Sequence, residues 1–165
     1  MKIIAHRGNL YGPDPETENT QNQAQKCLDM GFDVELDLWY IKKTGGLMLG
    51  HDGPNMPTDV TWIWAKSPML WMHWKETDGI MWAIYGLSVC LEPLFANHFM
   101  HEKEPFARTT SGAYWLYPGT PITDEMRSAP AIVACLPELA PDWDLTHATH
   151  ICTDYPVKYA EKYKP

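Results

Sequence analysis

The sequence predicts an α/β fold: a compact TIM-like βα barrel with several outer helices reduced or missing in the second half. Three observations lead there. Eight apolar stretches of strand length recur from end to end. Histidines, acids and basic residues collect at the carboxyl ends of those stretches, where a βα barrel gathers its functional groups. The chain has 165 residues, enough for one core by the usual domain size of about 100–200 residues. Eight complete βα units take roughly 200 or more, so some helices must be absent.

The first stretch is Ile3–Ala5. The segment ENTQNQAQKCLDMG after it reads as a helix: Asn19 or Thr20 can cap it, Ala24, Cys27 and Leu28 form an apolar face, and Gly31 ends it. Phe32–Asp37 and Leu47–Gly50 are the second and third strands, and a short helix is expected over Asp59–Ala65. Leu70–Lys75 is the fourth, followed by a helix from Thr77 to Val89. Asn97–His101, Ala113–Tyr117, Ala131–Leu136 and His150–Thr153 complete the eight. The connections Glu102–Gly112, Pro118–Pro130 and Pro137–Thr149 are rich in Pro, Gly and Thr and lack helical periodicity, which places the missing helices there. The tail VKYAEKYKP is read as one amphipathic turn or a frayed end. Residues 1–165 are read as a single domain.

Composition excludes several function classes. A formal net charge of −8 argues against nucleic-acid binding, which depends on Lys and Arg neutralising many phosphates. No run of about 18 apolar residues exists to span a membrane, and the amino terminus lacks the zones of a signal peptide. A cytoplasmic protein is expected. Cys27, Cys90, Cys135 and Cys152 are widely spaced without a CxxC pair, so reduced, partly buried thiols are expected rather than a disulfide framework or zinc cluster.

Strand period groups the polar residues, because residues two apart share a face. Glu35 and Asp37 therefore point together while Val34 and Leu36 take the other side. Two close carboxylates repel unless a cation lies between them, and a hard divalent ion held by oxygens resolves that conflict. His73 and Lys75 share a face in the same way. His98 and His101, three apart, cannot, and His101 at the strand end is the one expected at the mouth as a substrate contact. Glu138 either lines the site or is solvated. Trp39 and Trp115, near strand ends, could lend a flat wall to a glycerol or sugar.

Taken together, HRG (His6–Gly8), ENT (Glu18–Thr20), VELD (Val34–Asp37), GHD (Gly50–Asp52) and TDYP (Thr153–Pro156) resemble the glycerophosphodiester phosphodiesterase family. The resemblance implies a βα barrel that hydrolyses a small-molecule phosphodiester with two histidines and one divalent metal ion, Mg²⁺, Ca²⁺, Mn²⁺ or Zn²⁺. It makes His6 and His51 the acid/base pair, Arg7 a phosphate ligand, Glu35 and Asp37 metal ligands, and Glu18 a supporting residue. Lys75 and His101 would contact substrate. The family places a Glu two residues before the Lys of the fourth strand, whereas MHWK offers His73 there, so His73 is expected as the third metal ligand. Chemistry agrees: charge building on phosphoryl oxygens needs fixed positive groups, and two imidazoles near pKa 6.5 can hold opposite protonation states. The competing reading is a module that binds phosphate or sugar phosphate without turnover. Retention of both His6 and His51 argues against it, since a binder needs no proton shuttle. A metal-dependent amidohydrolase would put H-x-H on the first strand, where this chain has His-Arg-Gly.

Overall fold

The computed structural model of the protein describes residues 1–86, 97–102 and 104–163. At its centre lies β1 (Lys2–Ala5), flanked in parallel by β10 (His150–Thr153) and by β2 (Asp33–Ile41). From β2 the parallel arrangement continues to β5 (Leu70–Trp74) and β6 (Asn97–Phe99). From β10 it continues to β9 (Ile132–Cys135) and β8 (Tyr114–Leu116). The result is a mixed α/β fold with a curled half-barrel sheet, consistent with a partial TIM-like barrel.

Two hairpins depart from the expected eight-strand barrel. Leu47–Gly50 is not a barrel strand: β3 (Gly46–Leu49) returns antiparallel along Leu38–Ile41 of β2, and β4 (Met56–Thr58) pairs antiparallel with β3. The reason is chain length. A parallel crossover needs a dozen or more residues, and the turn at Lys42–Gly45 has four, closed by the Thr44 and Gly45 amides on the Ile41 carbonyl. On the other side, β7 (Phe106–Arg108) pairs antiparallel with β8. Among the described residues no ladder joins β6 to β8. The Thr110 amide instead donates to the His98 carbonyl at 2.9 Å, and the His98 amide to Thr110 Oγ1 at 3.1 Å.

Period two sorts β2 as expected. Val34, Leu36 and Leu38 are fully buried in a cluster with Leu70, Met72 and Trp74 of β5 and the apolar faces of the outer helices. Those helices are α1 (Gln21–Asp29), α2 (Val60–Lys66) and α3 (Thr77–Met81). Thr20, not Asn19, caps α1, its hydroxyl accepting from the Gln23 amide, and Asp59 caps α2. The opposite faces form an inner cluster of Ile4, Trp71, Phe99, Trp115, Val133, Cys135 and Cys152. Each large side chain so buried contributes about 1.5–3 kcal/mol. Trp115 belongs to this core and stacks on Phe99, so it is no wall for a ligand. Trp39 instead donates its indole N–H to the Gly50 carbonyl.

A single-turn helix-like stretch, Trp82–Gly86, continues from α3; the rest of the helix expected to Val89 lies outside the described residues. Between β8, β9 and β10 there are 3₁₀ turns at Glu125–Ser128 and Pro137–Leu139 and no α-helix. The tail is better ordered than expected: α4 (Pro156–Lys162) starts on a proline at its first turn. Cys27, Cys135 and Cys152 are free and buried; Cys90 lies outside the described residues. No described helix is long and apolar enough to cross a membrane.

Candidate active site at the mouth of the half-barrel

The chain leaves β1 through a 3₁₀ turn over His6–Gly8 in which Arg7 (φ +51°) and Gly8 (φ +77°) are left-handed. For a non-glycine residue that conformation costs on the order of 1–2 kcal/mol, and the contacts around Arg7 offset it. The Arg7 amide donates to Glu35 Oε2 at 3.0 Å, and its guanidinium donates to Glu18 Oε1 at 3.0 Å. Gly8 must lack a side chain, since a Cβ would press on the α1 backbone at Ala24. Cys27 Sγ–H donates to the Gly8 carbonyl and ties α1 to the turn. His6 and Arg7 thus face the mouth together.

Asp37 is the hub. At 1 % exposure it gathers four cationic or potentially cationic groups: His73 Nδ1 lies 2.9 Å from Oδ1 and Lys75 Nζ 3.5 Å from the same oxygen. His51 Nδ1 lies 3.0 Å and Arg7 Nε 3.3 Å from Oδ2. Asn19 clamps the residue from both ends, donating its amide N–H to Oδ2 and accepting from the Asp37 backbone N–H, each at 2.9 Å. Burial by itself would raise the Asp37 pKa, but the His51 and His73 hydrogen bonds and the nearby positive charges hold it well below the usual range. Glu35, at 2 % exposure, goes the other way. Burial and the charge of Asp37 raise it, against the pull of His6 and His73.

His51 reaches the site from the hairpin. Gly50 (φ +146°) has no room for a Cβ, which would collide with the Gly53 carbonyl oxygen, so the turn that delivers His51 depends on glycine. Its Nδ1 lies 2.8 Å from Arg7 Nη2 as well as 3.0 Å from Asp37 Oδ2. One ring nitrogen cannot accept from an arginine and donate to a carboxylate at once. The two contacts therefore describe two protonation states of His51, each with a partner in place.

His6 is fixed by Asp154, which accepts from Nδ1–H at 2.8 Å and also from Asn9 Nδ2 at 2.8 Å. This leaves Nε2 on the side of Glu35, 3.9 Å from Oε2. Burial lowers the His6 pKa, but Asp154 and Glu35 outweigh it and hold it up at about 9. Glu18 accepts from Arg7 and Asn9.

The structure brings His6, Arg7, Glu18, Glu35, Asp37, His51, His73 and Lys75 into one connected network. His101 stacks on His73 with ring centroids 4.8 Å apart. His98 points the other way, buried, with its Nδ1 accepting from Trp74 Nε1 at 3.0 Å. Glu138 accepts from the Thr153 hydroxyl and the Asp154 amide; it braces the Asp154 loop and is not solvated. Asn9, Asn19 and Tyr117 were not singled out by sequence reasoning, and Asp154 had no role beyond its motif. For Asn19 and Asp154 the signal was present in ENT and TDYP, while Tyr117 had only its place at a strand end.

Glu35, Asp37 and His73 can hold a metal ion: all three are buried, and one ligand atom from each lies within 4.8 Å of the others. Two carboxylates and an imidazole on adjacent strands form a plausible donor set for a divalent ion, and the raised Glu35 pKa is the strain expected of a paired carboxylate without one. A cleft of about 260 Å³ opens beside His51, lined by Glu18, Asn19, Asp52, Asn55 and Met56 among others.

Fold and mouth together define a partial TIM-like α/β barrel with a buried carboxylate–histidine group at the carboxyl ends of its strands. No family model matches the chain, and no curated protein matches it. Among solved structures, a candidate glycerophosphodiester phosphodiesterase from Galdieria sulphuraria is similar over 98% of this chain and 96% of that one, with a TM-score of 0.58 and 12% identity. At that identity the likeness shows the fold alone.

Proposed function

We propose that this chain is a metal-dependent phosphodiesterase acting on a small-molecule phosphodiester, a glycerophosphodiester by the sequence resemblance, with no role for nucleic acid. The observation that supports it most is the network itself: two histidines, each with its own carboxylate, flank an arginine, a lysine and a buried metal-ligand group. The similar fold of the Galdieria protein adds support.

In this reading Glu35, Asp37 and His73 hold one divalent ion. When bound, that ion supplies positive charge against the phosphoryl oxygens. Arg7 and Lys75 bind and orient the phosphate, the guanidinium offering a planar fork for two oxygens. His6 carries the proton: with Asp154 on Nδ1, its imidazolium is stabilised and Nε2–H is free to donate to the departing alkoxide. His51 removes a proton from the attacking hydroxyl, whether that of water or of the substrate's own glycerol. It can do so when Nδ1 accepts from Arg7, and the imidazolium that results finds Asp37 beside the same nitrogen. Glu18 holds Arg7 in place.

The test is product release from glycerophosphocholine, glycerophosphoethanolamine and a chromogenic bis-phosphodiester, with and without added Mg²⁺, Ca²⁺, Mn²⁺ or Zn²⁺. His6→Ala and His51→Ala are each expected to lower turnover at least about a hundredfold. Glu35→Gln and Asp37→Asn are expected to abolish metal binding in calorimetry together with activity. Wild-type protein that binds no divalent ion and whose histidine variants turn over like wild type would overturn the proposal.

A further inference from the structure

One pair of polar atoms at the mouth takes no part in the proton and phosphate network. His101, just past β6, continues the inward row of Phe99, and Tyr117, just past β8, continues that of Trp115. Their rings pack with centroids 3.9 Å apart, and His101 in turn stacks on the candidate metal ligand His73. Yet His101 Nδ1 and Tyr117 Oη are both enclosed and have no hydrogen-bond partner among the described residues. Leaving a buried polar atom unpaired costs about 1–3 kcal/mol, and two such atoms side by side call for a specific explanation. A ligand that supplies the missing partners is one.

Charge narrows the ligand. Burial, together with the positive charges of His73 and Lys75, holds the His101 pKa down at about 4. Burial pushes the Tyr117 phenol up, and the negative charges of Glu35 and Asp37 add to that. Both groups are therefore neutral near pH 7, in contrast to Arg7 and Lys75 across the mouth. Neutral groups that can donate and accept match an alcohol, whereas an isolated phosphate or ammonium needs charge to compensate its desolvation.

We infer that His101 Nδ1 and Tyr117 Oη form a hydroxyl-binding subsite, which recognises an alcohol group carried close to the phosphate of the ligand. The inference rests on the proposed function for where the phosphate lies, but it does not require turnover. Tyr117 is then a specificity-determining residue: its hydroxyl meets the ligand hydroxyl, and a ligand lacking that group leaves two buried polar atoms unpaired. Discrimination of about tenfold or more corresponds to one such hydrogen bond.

The experiment is isothermal titration of glycerol 3-phosphate and of ethyl phosphate, two phosphomonoesters that differ in their hydroxyls, into wild type, Tyr117→Phe and His101→Phe. Each is run with Mn²⁺ and with chelator, and melting curves check that the variants are folded. Wild type is expected to favour glycerol 3-phosphate about tenfold. Tyr117→Phe, which deletes one oxygen, is expected to reduce that ratio to about two or less, and His101→Phe to reduce it likewise. A wild-type ratio near one, a ratio unchanged in both variants, or no binding of either ligand to wild type would overturn the inference. A protein that discriminates between the ligands but hydrolyses no diester would support the subsite and refute the phosphodiesterase reading, so the two fail separately.

Discussion

Replacing Asp154 by Asn tests how His6 is held. In the wild type the carboxylate accepts from His6 Nδ1–H at 2.8 Å, and the imidazole pKa rises from 6.5 to about 9 even though burial opposes the rise. A folded-state pKa above the unfolded one means that the fold gains stability from protonation. That stability is complete below about pH 6.5 and is lost as pH rises through about 9. The separation is about 2.5 units and each unit is worth about 1.4 kcal/mol, so the loss on going from pH 6 to pH 9 is about 3 kcal/mol. Asn keeps an oxygen for the Nδ1–H and for Asn9 but carries no charge. In Asp154→Asn the His6 pKa should therefore fall by at least a unit, and the stability lost between pH 6 and 9 should shrink by more than half. The assay is urea denaturation at a series of pH values in chelator, so that no metal competes, with a nuclear magnetic resonance titration of the His6 ring. A wild-type His6 that titrates near 6.5, with stability flat from pH 6 to 9, would refute the reasoning.

His73 stands where the resemblance calls for a carboxylate, so the metal group has two negative charges and an imidazole. Imidazole suits Mn²⁺ and Zn²⁺ better than Mg²⁺ or Ca²⁺; calorimetry should rank wild-type affinity in that order, and His73→Glu should shift it toward Mg²⁺ and Ca²⁺. An unchanged ranking in both His73→Glu and His73→Ala would remove His73 from the ligand set. His98 is the opposite case to His6. Burial lowers its pKa to about 4, so stability is complete above about pH 6.5 and is lost as pH falls toward 4. His98→Asn preserves an acceptor for Trp74 and cannot titrate. Between pH 7 and 5 wild type should lose about 2 kcal/mol more than this variant in denaturant melts, and parallel curves would contradict the burial argument.

The parts of the protein legible in the sequence are those written in contiguous residues. Alternation in VELDL separates Glu35 and Asp37 from Val34, Leu36 and Leu38 because neighbouring strand residues point to opposite faces. The Thr20 cap and the apolar face of Ala24, Cys27 and Leu28 mark α1 because both act within one or two helical turns. His6, Arg7 and His51 were found as motif residues. What the tertiary structure decided depends on which strands become neighbours and in what register, and local periodicity holds no information about that. The third apolar run reads as a barrel strand in isolation, but the four-residue turn before it folds it back on β2, and only so does His51 reach Asp37. Asp154 meets His6 across nearly the whole chain because β10 lies parallel to β1. His101 and Tyr117 meet across the gap between β6 and β8, where no strand ladder joins the described residues and side chains alone close the wall. Pairings so distant in sequence form only when the sheet curls, so their chemistry appears with the fold.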